Sequence, residues 1–179
     1  MNRHTVPYCA EGVTSLYELP HIVNSILKEA RERSILVTPM KLEKLLFILY
    51  KQYLQKTGNP LFAERFEAWD YGPVVSDVYT AFASYGARPI KRFMLDSIGK
   101  YRYVDAQGDP ALVQGLDSVL TRYGGFAGVE LSKMTHRVGT AWFAAYMAHE
   151  PVLDDKQIKE EPDYLEANKY AACSVTDNR

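Results

Sequence analysis

The chain has 179 residues, of which 47% are hydrophobic, 12% aromatic and 24% charged, a balance that supports one folded domain and excludes a disordered protein. Two domains would leave each half a thin core. Twenty-one basic side chains against twenty-two acidic ones give a net charge of −1, without the basic excess on which binding to phosphate backbones depends.

Cys9 and Cys173 lie near opposite ends, far from any metal-like spacing, and read as reduced thiols of a cytoplasmic protein. Met1 to Thr5 leads into no apolar run of signal-peptide type, and the longest apolar run, Leu45 to Tyr50, falls far short of the roughly 20 residues that span a bilayer. Residues 1–15 lack periodicity and read as a loose arm, 16–148 as the folded domain and 149–179 as an acidic extension.

In chain order, a first helix starts near Pro20, with Ile22, Val23, Ile26, Leu27 and Ala30 on one face. Thr38-Pro39 is a hydroxyl cap followed by a proline at the first helical position. Leu42, Leu45, Leu46, Leu49 and Tyr53 then keep helical spacing up to the stop at Gly58, with Lys41, Lys44, Lys51 and Lys56 mostly off that stripe. This helix is the expected centre of the fold. Leu61 to Trp69 reads as extended, and Gly72-Pro73 as the restart of a helix carrying Val75, Val78, Tyr79, Phe82 and Tyr85 up to Gly86. Ile90 to Leu95 and Lys100 to Val104, joined through Asp96-Ser97-Ile98-Gly99, predict an antiparallel β-hairpin. Asp109-Pro110 repeats the cap-then-proline signal for a helix ending at Gly124-Gly125, and further helices are expected over about 127–136 and 140–148. From Glu150 the chain carries eight acidic and four basic side chains with Pro151 and Pro162, and reads as a solvated tail in which Tyr164, Leu165 and Tyr170 could anchor a short helix. The fold class is therefore mainly α, about six helices around the 38–57 helix, with one small antiparallel hairpin.

No glycine-rich phosphate loop, GxSxG elbow, HExxH or CxxC is present, so no catalytic residue, metal or cofactor is assigned. His4 and His21 read as surface groups. Thr135-His136 is the one histidine pair with a hydroxyl in an organised segment, but neighbours on a helix point about 100° apart and do not form a nucleophile–base pair. Arg31, Arg33, Lys41 and Lys44 near the first helix junction, with Lys91, Arg92, Lys100 and Arg102 in the hairpin, carry the alternative of a DNA-binding regulator of a mobile element; the same charges also suit a solvated face.

Glu67-Ala68-Trp69-Asp70-Tyr71-Gly72-Pro73-Val74-Val75 packs two large aromatics, a permissive glycine and a proline into one rigid corner. Three blocks here resemble a known family. Thr38 to Phe47 resembles its T-x-x-K-L-Q-K-L-L-Y helix, with Glu43 in place of the usual glutamine. Gly58 to Phe62 followed by Glu67 to Val74 resembles its G-x-P-L-F and E-A-W-x-Y-G-P-V block, and Leu131 to His136 with Trp142 resembles its closing L-S-x-x-T-H and tryptophan. The family is the antitoxin SocA-like Panacea domain, associated with genetic elements and phages, and the resemblance covers about residues 20–148. It implies a non-enzymatic antitoxin that neutralises a cognate protein toxin by direct binding, with a cytoplasmic ATP-dependent protease as a further partner where the protein acts as an adaptor. The near-zero net charge and the short apolar runs, separately, argue against a nucleic-acid or membrane partner. Leu42, Leu45 and Leu46 read as core, Gly72 and Pro73 as the backbone corner, and Trp69 and Trp142 as core or interface. Glu67, Trp69, Asp70, Tyr71, Thr135 and His136 are the candidate toxin-binding residues; polar groups beside buried aromatics either satisfy one another or mark a surface in use.

Overall fold

The computed structural model describes residues 5–6, 16–105 and 108–166. Its organising element is α2 (Pro39–Thr57), which starts where Thr38 Oγ1 accepts the Lys41 N–H at 3.4 Å and ends at Gly58, left-handed at φ 77°. Every residue from Lys41 to Lys51 is buried. Around α2 pack α1 (Leu19–Glu32), α3 (Ser76–Phe82), α4 (Pro110–Tyr123), α5 (Gly128–Thr135) and α7 (Asp155–Glu160), while α6 (Ala141–Met147) lies against the 67–69 strand. The mainly helical class holds, with seven helices among the described residues. None of them is long and apolar enough to cross a membrane.

The local start and stop signals act as expected. Asp109 caps α4 by accepting the Ala111 and Leu112 N–H groups at 3.0 and 3.1 Å, and Pro110 follows at the first position. Thr140 caps α6 through the Phe143 N–H at 3.2 Å. The core joins Leu42, Leu45 and Leu46 to Ile22, Ile26, Leu112, Leu120, Leu131 and a ring cluster of Phe47, Tyr50, Phe62 and Phe66, whose centroids lie 4.9 to 5.8 Å apart.

The antiparallel pair exists but not at residues 90–104. It is formed by β2 (Glu67–Trp69) and β3 (Gly72–Val74), with Ala68 opposite Pro73 and Trp69 opposite Gly72. Gly72-Pro73 therefore does not restart a helix: β3 continues through it and α3 begins only at Ser76. The cause is tertiary, because Glu43 Oε2 accepts the Val75 N–H at 3.1 Å and Lys44 Nζ donates to the Pro73 carbonyl at 2.7 Å.

Residues 90–102 make the expected tight turn at Asp96–Gly99, but no ladder flanks it. Side chains of α1 take the backbone groups a partner strand would have used. Asn24 accepts the Met94 N–H at 2.7 Å and donates to the Met94 and Arg102 carbonyls at 2.9 and 2.7 Å, and Ser25 Oγ accepts the Val104 N–H at 3.0 Å. The strand that does form there, β4 (Tyr103–Val104), is parallel to β1 (Thr5–Val6), so part of the expected N-terminal arm is paired. The rest of that arm, both cysteines, His4 and Tyr170 lie outside the described residues.

Two further expectations are corrected. His21 is buried, with Nε2 3.4 Å from Asp96 Oδ2, rather than at the surface. The segment after Glu150 is not a solvated tail over its described part. Leu153, Ile158 and Tyr164 are each 1% exposed, and Ala68 N–H and Phe66 carbonyl bond to Pro151 and Leu153 at 3.0 and 2.9 Å, laying this segment along β2. The helix it contains, α7, precedes Tyr164 rather than being built on it.

Leu46 is fully buried at the centre. Leu46→Ala is expected to cost about 2–5 kcal/mol, the sum of lost transfer energy and a cavity that α2 cannot close. Chemical denaturation of the purified protein measures it, and an unchanged midpoint would contradict the central place of α2.

Candidate functional site

The β2–β3 turn is held from behind through alternate carbonyls. Trp142 Nε1 donates to the Trp69 carbonyl at 2.8 Å, Ser132 Oγ to the Tyr71 carbonyl at 2.8 Å, and Lys44 Nζ to the Pro73 carbonyl at 2.7 Å. Donors from α6, α5 and α2 thus fix one short turn. Gly72 sits within it at φ 104°; a Cβ there would lie 2.8 Å from Lys44 Cε and 2.9 Å from Thr135 Oγ1, so only glycine fits both the dihedral and the space.

In front of the turn lies an open groove of about 510 Å³, walled by Pro39, Met40, Trp69, Tyr71, Val74 and Tyr79. Trp69 packs edge-on against Tyr79 at 4.8 Å and 61°, and its indole N–H is taken by Glu67 Oε2 at 2.7 Å. Asp70 and Tyr71 are exposed at the rim, Tyr71 by 68%. Asp70 accepts the Tyr146 hydroxyl at 3.1 Å and so pushes that phenol's pKa up.

At the base are Glu43 and Lys44, both buried. Burial pushes the Glu43 carboxyl up to about 8, against the Val75 N–H and the Lys44 charge, which pull it down. Burial lowers Lys44 to about 8, against the charge of Glu43. Glu43 Oε1 and His136 Nε2 are the buried side-chain polar atoms without a hydrogen-bond partner among the described residues.

Of the candidate residues named from sequence, the structure gathers Trp69, Asp70 and Tyr71 at the groove and places Glu67 behind them as the clamp on the indole. Thr135 is not on a surface: it is fully buried, donating to the Ser132 carbonyl at 2.9 Å. His136 is half-buried and stacks on Trp142 at 3.8 Å, which in turn stacks on Tyr146 at 4.6 Å. Burial, then the Lys44 charge, lowers its pKa against a hydrogen bond to the Tyr71 backbone. Trp142 is core, at 6% exposed. Sequence reasoning missed Met40, Glu43, Lys44 and Tyr79 as groove residues. The departure from glutamine at position 43 was the one signal available for any of them.

The comparisons with known proteins agree on one family. The family model for the antitoxin SocA-like, Panacea domain matches residues 42–143. The chain belongs to that family. Antitoxin SocA of Caulobacter vibrioides (strain NA1000 / CB15N) is 30% identical over 126 residues, a stretch that covers 68% of this chain and 66% of that protein. No solved structure matches the chain. The family model takes in α2 from Leu42 onward, the β2–β3 turn, α3, α5 and the start of α6, which build and brace most of the groove of this Panacea domain; Pro39 and Met40 lie just before the match.

The Glu43 carboxyl gives a pH prediction. Between the ordinary carboxylate value of 4.5 and about 8, the folded chain keeps a proton on Glu43 that the unfolded chain releases. The folded state then binds more protons, and this group's contribution to stability falls as pH rises through that window. Glu43→Gln keeps the shape and removes the ionisation, so its melting temperature should match the parent's near about pH 5 and exceed it near about pH 7. Calorimetry at the two pH values checks it. A variant less stable at the higher pH would mean that Glu43 is charged and well paired in the fold.

Proposed function

We propose that this Panacea domain is a non-enzymatic antitoxin that neutralises a cognate protein toxin by direct binding, and that the toxin docks on the groove and the Trp69–Gly72 turn. The observation that carries this is the division of labour within the turn. Its backbone is pinned at three alternate carbonyls by Trp142, Ser132 and Lys44, while Asp70 and Tyr71 point outward. A turn fixed in advance loses little entropy on binding, and exposed aromatic side chains beside a charge are the usual anchors of a protein interface. Thr135 and His136 take the role of supports behind the turn rather than of contacts.

The DNA-regulator alternative keeps only part of its basic surface. Of its eight basic residues Lys41 and Lys44 are buried, Arg33 pairs with Asp117 at 3.1 Å and Arg102 pairs with Asp96, which leaves Arg31, Lys91, Arg92 and Lys100, all exposed, without the other four.

The test is co-expression of the chain with the product of each gene beside its own, in cells whose growth that product arrests. The parent should restore growth, and the double variant Asp70→Ala, Tyr71→Ala should fail to do so while melting within a few degrees of the parent, since both side chains are exposed. Growth restored equally by the double variant would move the interface elsewhere. Delivery to an ATP-dependent protease, which the resemblance implies, would show in the same cells as a shortened toxin half-life.

A further inference from the structure

We propose that the groove is an arginine pocket: its occupant is a guanidinium side chain presented by the partner, lying against Trp69 and Tyr79 between the carboxyl groups of Asp70 and Glu43. The identity of the partner as a toxin rests on the function proposed above; the chemistry of the pocket does not.

The walls come first. Trp69 and Tyr79 are locked edge-to-face and both line the groove, and Glu67 takes the Trp69 indole N–H, so that donor is already used. Tyr71 adds a third ring at the rim. Aromatic faces attract cations, and a guanidinium more readily than an ammonium because it is planar and weakly hydrated.

The polar groups choose the sign of the ligand. Asp70 stands at the mouth, where the Tyr146 hydroxyl supplies one of its Oδ1 contacts. At the base, Glu43 Oε2 is used by the Val75 N–H, but Oε1 is buried without any donor. A buried carboxyl oxygen left unpartnered is costly; a guanidinium brought to it supplies the missing donor and draws the proton off the Glu43 carboxyl, so that the pair forms as a charged one. The one cation lining the groove, Lys44, has its ammonium on the Pro73 carbonyl beneath Gly72. A phosphate or an acidic side chain would face two carboxyl groups. A purely aliphatic side chain would cover Asp70 and leave Glu43 Oε1 as it is. An arginine satisfies both, with its aliphatic stem on Met40 and Val74 and its planar head against the aromatic wall.

The experiment uses the whole chain and short capped peptides, Ac-Gly-Arg-Gly-NH2 against the same peptide with norleucine or glutamate at the centre. The chain has two tryptophans, so the two indole N–H signals in a nitrogen-correlated NMR spectrum report on Trp69 and Trp142 separately. The arginine peptide should shift the Trp69 signal saturably, with a dissociation constant on the order of millimolar and about tenfold tighter than norleucine. Asp70→Asn and Glu43→Gln, both close in shape to the parent residues, should each weaken it about fivefold with melting retained. Equal binding of the norleucine peptide, tighter binding of the glutamate peptide, or no saturable shift below about 20 mM each overturns the proposal. The outcomes separate from those of the toxin test. If the peptides fail while Asp70→Ala, Tyr71→Ala abolishes neutralisation, only the arginine chemistry falls. If the peptides bind as expected while neutralisation survives that double variant, the pocket stands and the toxin is held elsewhere.

Discussion

Three ammonium groups inside one helix hold the surrounding segments in place. Lys41, Lys44 and Lys51 of α2 are all buried, and each donates to one main-chain carbonyl of a different neighbour: Gly124 at 2.6 Å, Pro73 at 2.7 Å and Pro162 at 2.9 Å. Gly124 ends α4, where carbonyls lack helical partners and the helix dipole favours a cation. Burial lowers the pKa of all three lysines, Lys51 to about 8 in spite of Glu161 and Asp163, so each charge is held at a cost. A segment that slipped out of register would strand a buried ammonium without an acceptor, which is far more expensive than losing an apolar contact. The lysines therefore specify position, while the leucines between them supply the bulk of the stability.

The same logic explains why the groove sits where it does. Lys44 reaches the turn from below, and position 43 beside it brings a carboxyl to the Val75 N–H, so two successive residues of α2 fix both ends of the β3-to-α3 passage. Two turns further along the same side of α2, Lys51 lies 3.4 Å from the Tyr164 ring centroid and 3.9 Å from Glu161, whose other oxygen accepts the Ala141 N–H at 2.6 Å at the start of α6. Since α6 carries Trp142, the C-terminal segment supports the turn through a chain of contacts that begins again on α2.

Much of this was legible in the sequence wherever the cause was local. Thr38-Pro39, Asp109-Pro110 and Gly58 mark helix ends by chemistry within four residues, and all three act there. The apolar stripe of α2 was visible, but a stripe says which face is buried first, not that the opposite face is buried as well; the lysines looked like a solvated face because their acceptors lie 29 to 111 residues away. The 90–104 segment has strand composition, yet its backbone groups are claimed by Asn24 and Ser25 of α1, and no pattern within the segment distinguishes a side-chain partner from a ladder. Leu153, Ile158 and Tyr164 are too widely spaced, with Pro162 among them, to announce a buried segment. At the site, the density of aromatics over 67–73 pointed to the turn. Met40 and Tyr79 reach the groove only through tertiary packing, and Thr135 was drawn into the candidate set by its neighbour although its hydroxyl faces inward.

The consequence for recognition lies in which atoms carry the structure. At the turn, what α2, α5 and α6 hold is main chain: the carbonyls of residues 69, 71 and 73 and the space over Gly72. Any residue supplies a carbonyl, so the brace does not depend on the side chains at 70 and 71. Asp70 has an exposed hydroxyl contact from Tyr146, and Tyr71 projects into solvent. Replacing such groups usually changes stability by no more than about 0.5 kcal/mol. Lys44, Gly72, Ser132 and Trp142, in contrast, cannot change without releasing the backbone they hold. The scaffold can thus keep one turn geometry while its outward chemistry varies, and under the docking proposed above the partner is chosen by the few side chains that folding leaves unused.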